Sequence, residues 1–309
     1  MTTLNPSTRQ ESRSLIRERP GVDSPTCVLK WRQKQLIVLR SQRHPSHLPP
    51  LTNERWLIDC LSHSPIRLVR ADPSLGESEL RFWAHACERS RKTLYLRLPN
   101  ASNLPHKRIR FSWGCKRLLD LTLASIILVV LSPVLLTIAI LIKAYTPGPI
   151  LFRQWRVGQR GKLFRVLKFR TMAVNAEQQH HQVMADQANT NLHKRDDDPR
   201  ITPLGRWLRK YSLDELPQLL NVLLGEMSLV GPRPWAIYDA VRIRPERLGR
   251  LNALPGITGA WQIQARSHLL DIDKVNDLDL EYLRNWSLIG DLKILLRTVP
   301  KVLSGFGAY

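Results

Sequence analysis

The chain has 309 residues, enough for one large or two modest domains, each with a buried core. Against 26 Asp and Glu stand 47 Lys and Arg, a net charge of +21 spread over both halves of the chain, so the partners to expect are polyanions: nucleic acid, an anionic leaflet or phosphorylated substrates. Four widely spaced cysteines without a CxxC pair and nine histidines without an HExxH spacing argue against a disulfide framework and against thiolate or histidine metal sites, and fit a reducing cytosolic setting.

Residues 1–30 are rich in Ser, Thr, Pro and charge and read as a flexible start. Residues 31–104 read as a small domain. There "QLIVLR" (35–40), "NERWLIDCLSHS" (53–64), "IRLVRAD" (66–72), "GESELRFWAHACERSRK" (76–92) and "TLYLRLP" (93–99) alternate strand-like and helical patterns in the order β-α-β-α-β. Trp83, Ala84, Cys87 and Arg91 fall at helical spacing and read as core packing. No GxGxxG follows a strand, so dinucleotide binding has no support, and interaction or regulation is the default role.

Residues 105–146 combine a basic flank with an apolar run. From Leu121 to Ile142 the chain reads "LTLASIILVVLSPVLLTIAILI", about twenty-two uncharged residues, which at ~1.5 Å per helical residue could cross a ~30 Å hydrocarbon core. Lys107, Arg108, Arg110, Lys116 and Arg117 precede it and Lys143, Arg153 and Arg156 follow, so both ends look cytoplasmic. Ser132-Pro133 in its middle removes a backbone donor and allows a bend, so that the segment re-enters on its starting face with each arm too short to span. A kinked spanning helix and a buried soluble helix are the alternatives.

Residues 147–309 mix strand and helix signals. In "PGPILFRQWRVGQRGKLFRVLKFRTM" (147–172), Val166, Lys168 and Arg170 share one strand face if alternation is regular; two adjacent cations suit a diphosphate, and a solvated edge strand would look the same. Residues 173–197, including His180-His181, are polar and read as a solvated helix or a flap. Within "SLDELPQ" (212–218), Ser212-Leu213-Asp214-Glu215 matches a capping box, in which Glu215 satisfies a backbone donor and Asp214 favours the helix terminus. A helix starting nearer Leu216, which suits Pro217, frees both carboxylates instead. In either register Leu216, Leu219, Leu220 and Leu223 share a face, leaving the acids at an anion-attracting helix start. Arg200, Arg206, Arg209 and Lys210 lie upstream and Arg233 downstream in "GPRP", a surround able to neutralise a diphosphate around an attacking aspartate while the adjacent Glu holds Mg²⁺. On these residues alone, capping and catalysis both stand.

Taken together, "KRLLD" (116–120), Ser132-Pro133, "GPILFRQWRVG" (148–158), "KFRTM" (168–172), "DPRITPLGRWLRKYSLDELPQLLNVLLGEMSLVGPRP" (198–234) and "PGITGAWQI" (255–263) closely resemble the bacterial sugar transferases. These are monotopic phosphoglycosyl transferases acting on polyprenyl phosphates to prime exopolysaccharide, capsule and glycan assembly. The resemblance runs from about residue 112 to the C-terminus. It implies an α/β protein: a re-entrant membrane helix and a cytoplasmic α/β catalytic domain, here preceded by the small β-α-β-α-β domain. It further implies transfer of a hexose-1-phosphate from a UDP-sugar, glucose or galactose, to undecaprenyl phosphate with release of UMP, at the cytoplasmic face of the inner membrane, with Mg²⁺ and a covalent phosphosugar-enzyme intermediate.

By matching motif, Asp214 resembles the nucleophile, Glu215 its Mg²⁺-binding partner, Arg209 the arginine that positions the acidic pair, and Arg233 a phosphate contact. Lys168 falls in a matching motif, and with Arg170 and Arg200 completes the expected substrate-binding cations. Ser132-Pro133 resembles the break of the re-entrant helix, with Lys116, Arg117 and Asp120 at its mouth. Asp279, Tyr282, Trp286 and Asp291 fit the family pattern without an assigned role. The chain departs from many long members, which carry several spanning helices N-terminally, because no second apolar segment is present. Membrane lipid is an expected partner, nucleic acid is not, and self-association is left open. The rival reading is a basic membrane-attached regulator or nucleic-acid binder, motivated by the net charge.

Overall fold

The structure, a computed structural model, describes residues 27–40, 53–98, 110–174, 176, 198–264 and 271–305. The chain folds as two compact units, Met1–Arg97 and Leu98–Tyr309. In the first unit, β1 (Cys27–Arg32) and β2 (Gln35–Arg40) form an antiparallel hairpin, followed by α1 (Glu54–His63), β3 (Leu68–Ala71), α2 (Glu77–Arg89) and β4 (Thr93–Leu96). The sheet order is β1-β2-β3-β4, with β2, β3 and β4 parallel. Strand alternation puts Leu36, Val38, Val69, Ala71, Leu94 and Leu96 on one buried face, and the helices supply Leu57, Leu61, Leu80, Trp83, Ala84 and Cys87 to the same core. Asn53 caps α1 by accepting the Arg55 amide at 2.9 Å.

The β-α-β-α-β order is present, with one strand added in front. That strand corrects the expected flexible start for residues 27–30: Cys27 is fully buried and the register Cys27↔Arg40 through Arg32↔Gln35 pairs the whole segment. Arg91 also departs from expectation. It lies beyond the end of α2, exposed, at φ 56°, while Trp83, Ala84 and Cys87 pack in the core.

The second unit begins with α3 (Arg110–Tyr145), then β5 (Leu151–Val157), β6 (Leu163–Phe169), α4 (Pro203–Lys210), α5 (Gln218–Leu223), β7 (Ser228–Val230), β8 (Trp235–Ala236), α6 (Ile237–Ala240), β9 (Gly256–Thr258), α7 (Ala260–Gln264), α8 (Ile272–Arg284) and α9 (Leu288–Leu303). A three-stranded antiparallel sheet in the order β6-β5-β8 and a short parallel β7-β9 pair hold the centre. Among the described residues α3 is the one helix long and apolar enough to cross a membrane, and its apolar middle is not buried in the protein: Ile126, Val129, Val130, Leu136 and Ile140 are exposed. Helical hydrogen bonding runs on through Ser132-Pro133. Pro133 has no N–H to offer the Val129 carbonyl, and the Ser132 hydroxyl donates to that oxygen instead at 2.8 Å.

Both ends of α3 are tied to the second unit. At the start, Lys116 Nζ donates to the Val230 carbonyl at 2.9 Å and pairs with Asp291 at 2.6 Å. Arg117 donates to the carbonyls of Met227 (3.0 Å) and Val222 (2.5 Å), and Asp120 accepts from Ser228 Oγ (2.8 Å) and the Leu229 amide (3.1 Å). Asp291 also accepts from Tyr282 and Trp286, and Trp286 stacks on Trp113 at 4.7 Å. At the end, Arg170 Nη1 donates to the Pro147 carbonyl at 2.7 Å and Nη2 to the Thr146 carbonyl and hydroxyl at 2.9 and 2.6 Å. Most of the polar stretch 173–197, with His180-His181, lies outside the described residues.

Candidate active site

The acidic pair sits in a tight turn between α4 and α5. Thr202 caps α4 through the Gly205 amide at 3.0 Å, with Pro203 in the first turn, where its missing N–H costs nothing. Gly205 lies so close to the Thr171 carbonyl that a Cβ would overlap it, so the helix can approach the chain after β6 only with glycine there. This contact aims Arg209, one turn further on, whose Nε donates to Thr171 Oγ1 at 2.9 Å.

After α4, Ser212 takes a left-handed conformation (φ 53°, ψ 22°) and turns the chain into the 3₁₀ turn Leu213–Glu215. Ser212 makes no side-chain capping bond, and α5 starts at Gln218 behind Pro217. Of the two registers open from sequence, the one that frees the carboxylates is the one adopted. Leu213 packs in the cluster of Ile138, Ile142, Phe169 and Leu208, whereas Leu216 packs in the cluster of Ala124, Phe164, Val166, Leu219 and Val222. Asp214 and Glu215 are therefore bracketed by two leucines, each bound to a different arm of α3.

Cations close on the pair from three directions. Lys168, near the end of β6, donates from Nζ to Glu215 Oε1 at 2.5 Å, and Arg233 Nη2 lies 3.6 Å from the same oxygen. Asp214 is buried and interacts electrostatically with both Lys168 and Arg209. Burial pushes the Lys168 ammonium below the ordinary lysine value, partly offset by Glu215 and then Asp214. Burial likewise lowers Arg209, against the pull of Asp214, and its guanidinium stays charged. Arg233 also lies 5.8 Å from the ring centre of Trp261 in a cation-π contact.

Two of the expected cations go elsewhere. Arg170 does not join Lys168 at the acidic pair. It is buried at the end of β6 and its guanidinium is spent on Thr146 and Pro147, closing the corner between α3 and β5. Arg200 forms a buried forked pair with Asp198 (2.8 and 2.6 Å) and donates to the Ala176 carbonyl at 3.0 Å, so its charge is largely neutralised beside Arg209. A cation with no assigned role from sequence, Arg156 on β5, enters instead. It donates to the Pro234 carbonyl at 3.1 Å and to Gln154 at 2.5 Å, and lies within the field of Glu215, Arg233, Tyr238 and Asp239. In the sequence it stands inside "GPILFRQWRVG" and among the cations that flank the apolar segment, with nothing to mark it for the site.

Lys168 and Arg233 reach Glu215 directly, while Arg209 feels the charge of both carboxylates and Arg156 that of Glu215, and the surplus positive charge suits a diphosphate. Among the described residues no group of three or more His, Cys, Asp or Glu could hold a metal alone. Magnesium ordinarily takes one or two carboxylates and completes its shell with water and substrate phosphate, and Asp214 with Glu215 fits that partial donor set.

The family model described as bacterial sugar transferase matches residues 111–305. The galactosyl transferase CpsE of Streptococcus agalactiae serotype III is 44% identical over 194 residues, which are 62% of this chain and 43% of that protein. The UDP-glucose:undecaprenyl-phosphate glucose-1-phosphate transferase of Caulobacter vibrioides is 44% identical over 202 residues, 63% of this chain and 72% of its own length. The UDP-galactose-lipid carrier transferase of Erwinia amylovora is 37% identical over 263 residues, 84% of this chain and 54% of its own length. The chain thus spans about half of several curated relatives it matches. The matched span runs from the start of α3 through α9 and takes in the acidic turn together with every cation that faces it, and on that footing the chain belongs to the bacterial sugar transferase family.

Proposed function

We propose that this protein transfers a hexose-1-phosphate from a UDP-sugar to undecaprenyl phosphate, priming an exopolysaccharide or capsule. The observation that carries the reading is the acidic pair in its turn ahead of α5, with Lys168 and Arg233 on Glu215 and Arg209 within the field of both acids, in a chain with relatives named for this transfer to undecaprenyl phosphate. A carboxylate oxygen of Asp214 attacks the sugar-bearing phosphorus, and the bond from that phosphorus to the bridging oxygen breaks with its electron pair leaving on UMP. An oxygen of the lipid phosphate then attacks the same phosphorus, regenerating the carboxylate and giving the lipid diphosphate sugar. Lys168, Arg156, Arg209 and Arg233 hold the phosphates and balance charge as it shifts to the leaving group. Glu215 would hold Mg²⁺, which when bound adds charge neutralisation on the diphosphate.

Membrane re-entry of α3 belongs to the same proposal. A straight helix of this length would be about 54 Å long, well beyond a ~30 Å hydrocarbon core. Yet Lys116 and Arg117 at one end and Thr146 at the other are bonded to the same unit. Phe164 and Phe169, which pack with the first and second arm respectively, are about 17 Å apart along β6, while Ala124 and Ile142 would stand about 27 Å apart on a straight helix. A bend at Ser132-Pro133 relieves the mismatch. Ile289, Leu292, Leu296, Val299 and Leu303 form a second exposed apolar stripe, along α9 beside Lys293 and Arg297, which supports seating at an anionic cytoplasmic leaflet.

The test is UMP release from UDP-glucose and UDP-galactose with undecaprenyl phosphate and Mg²⁺ in lipid nanodiscs, with mass spectrometry of protein quenched during turnover. The expected results are a phosphosugar adduct on Asp214 and loss of turnover on the order of a thousandfold or more in Asp214→Asn. Full activity of that variant would sink the assignment.

A further inference from the structure

The segment Pro232-Arg233-Pro234 has an unusual backbone balance. Neither proline has an N–H, so Arg233 supplies the one amide donor among the three residues, beside three carbonyl acceptors. The Pro232 carbonyl accepts the Gly256 amide at 2.9 Å and the Pro234 carbonyl accepts Arg156 Nη1 at 3.1 Å. Both remaining groups belong to Arg233 itself, and they face one buried ion pair. The Arg233 carbonyl accepts Arg250 Nη2 at 2.8 Å, and the Asp279 carboxylate that holds Arg250 is stabilised electrostatically by the Arg233 amide. Arg250 and Asp279 are each 1% exposed, bonded to one another through Arg250 Nη2 and Asp279 Oδ2, and Arg250 lies 4.8 Å from the centre of the Trp235 ring.

A pair this buried is a poor stabiliser. Burial raises the Asp279 carboxyl and lowers the Arg250 guanidinium, the signature of a desolvation cost that an apolar pair would not incur. What the pair supplies that apolar residues could not is a donor aimed at the Arg233 carbonyl, itself held by a buried carboxylate. The side chain of that same residue is directed at Glu215 Oε1, 3.6 Å away, and against Trp261.

We propose that Arg250 and Asp279 are positioning residues for the transfer: they lock the Arg233 backbone, and through it the placement of the Arg233 guanidinium over the phosphate to be moved. This inference rests on the transferase reading for its kinetic consequence and on geometry alone for its structural one. Neither residue bonds to the acidic pair, and the effect proposed on transfer is the one exerted through Arg233.

The test replaces the pair by apolar residues, Arg250→Met with Asp279→Leu, in the full chain in nanodiscs. Relief of the pair's desolvation opposes the cost of leaving the Arg233 carbonyl without its donor, so the variant is expected to remain folded while UMP release falls on the order of tenfold to a hundredfold, the penalty of a displaced catalytic group. Combined with Arg233→Ala, the pair substitution is expected to cost nothing further, because the group it positions is already gone. Hydrogen exchange at the Arg233 amide, isolated between two prolines, is expected to accelerate. Should the apolar variant not fold, the isosteric Asp279→Asn is taken through the same cycle and exchange measurement. Unchanged amide exchange, unchanged turnover, or a loss that multiplies that of Arg233→Ala would each overturn the proposal. Absence of UMP release from the unsubstituted protein counts against the transferase reading alone, since amide exchange reads the clamp without turnover.

Discussion

Lys168 carries opposite signs into stability and activity. Its folded-state pKa lies below the ordinary lysine value because burial disfavours the charged form more than Glu215 and Asp214 restore it. Between the folded and unfolded values the unfolded chain binds more protons, so this residue makes stability rise with pH across that window. Activity moves the other way, since the neutral amine no longer holds a phosphate or Glu215. The alkaline limb of the UMP-release profile is therefore expected below the ordinary lysine range, and Lys168→Arg is expected to move it upward, because a guanidinium does not titrate there. A limb unmoved by that substitution would assign it to another group. At this scale the acidic turn stands out in the sequence because two adjacent carboxylates follow a basic run within a dense motif. The partition of the cations does not: Arg170 and Arg200 look equivalent to Lys168 and Arg233 in one dimension, and only the chain path shows that Thr146, Pro147 and Asp198 claim them. Arg156 is hidden for the converse reason, a strand residue whose face depends on the pairing of β5 with β8.

The capping box at Ser212 shows how a local pattern can be complete in sequence and unused in the fold. A cap needs an extended backbone at Ser212, and the left-handed turn there sends Glu215 towards Lys168 instead of back along the helix. A backbone cost of about 1–3 kcal/mol at a non-glycine residue in this region is sustained by packing of α4 on one side and α5 on the other. Helix α4 is seated by Gly205, so Gly205→Ala should push it off the Thr171 carbonyl and draw Arg209 away from Thr171 Oγ1. The expectation is a loss of about 1–3 kcal/mol in unfolding free energy together with lowered turnover, read by chemical denaturation and by UMP release. A variant with normal stability and normal turnover would mean that the close approach is dispensable. The sequence gives Gly205 no special mark, because its neighbour Thr171 lies more than thirty positions away along the chain.

Across the whole molecule, periodicity exposed the long apolar helix and the β-α-β-α-β unit, while β1 escaped because Lys30, Trp31 and Arg32 leave half of that strand exposed. What joins the apolar helix to the chemistry is the pair Leu213 and Leu216, each tied to a different arm of α3, and this relation exists only in three dimensions. It yields the prediction most specific to the proposed topology, that the two ends of α3 meet the same aqueous compartment. Cys115 marks one end and Tyr145→Cys the other, since Tyr145 is 73% exposed. Cys60 is exposed and must be replaced by Ser, whereas Cys27 and Cys87 are silent: burial pushes their thiols up to about 11 and about 12, leaving almost no thiolate near neutral pH. In sealed vesicles of known orientation, a membrane-impermeant thiol reagent is expected to label both positions from the cytoplasmic side and neither from the other. Labelling of the two positions from opposite sides would make α3 a spanning helix, and the acidic turn would then need another means of meeting its lipid substrate. Replacing Pro133 by Ala supplies the matching control: it restores an amide donor at the proposed bend, so the Ser132 hydroxyl is no longer needed at the Val129 carbonyl and a straight helix is favoured. Straightening works against the anchors at Lys116 and Thr146, so the expected result is unchanged labelling with reduced turnover, the strain appearing at the acidic turn that both arms support.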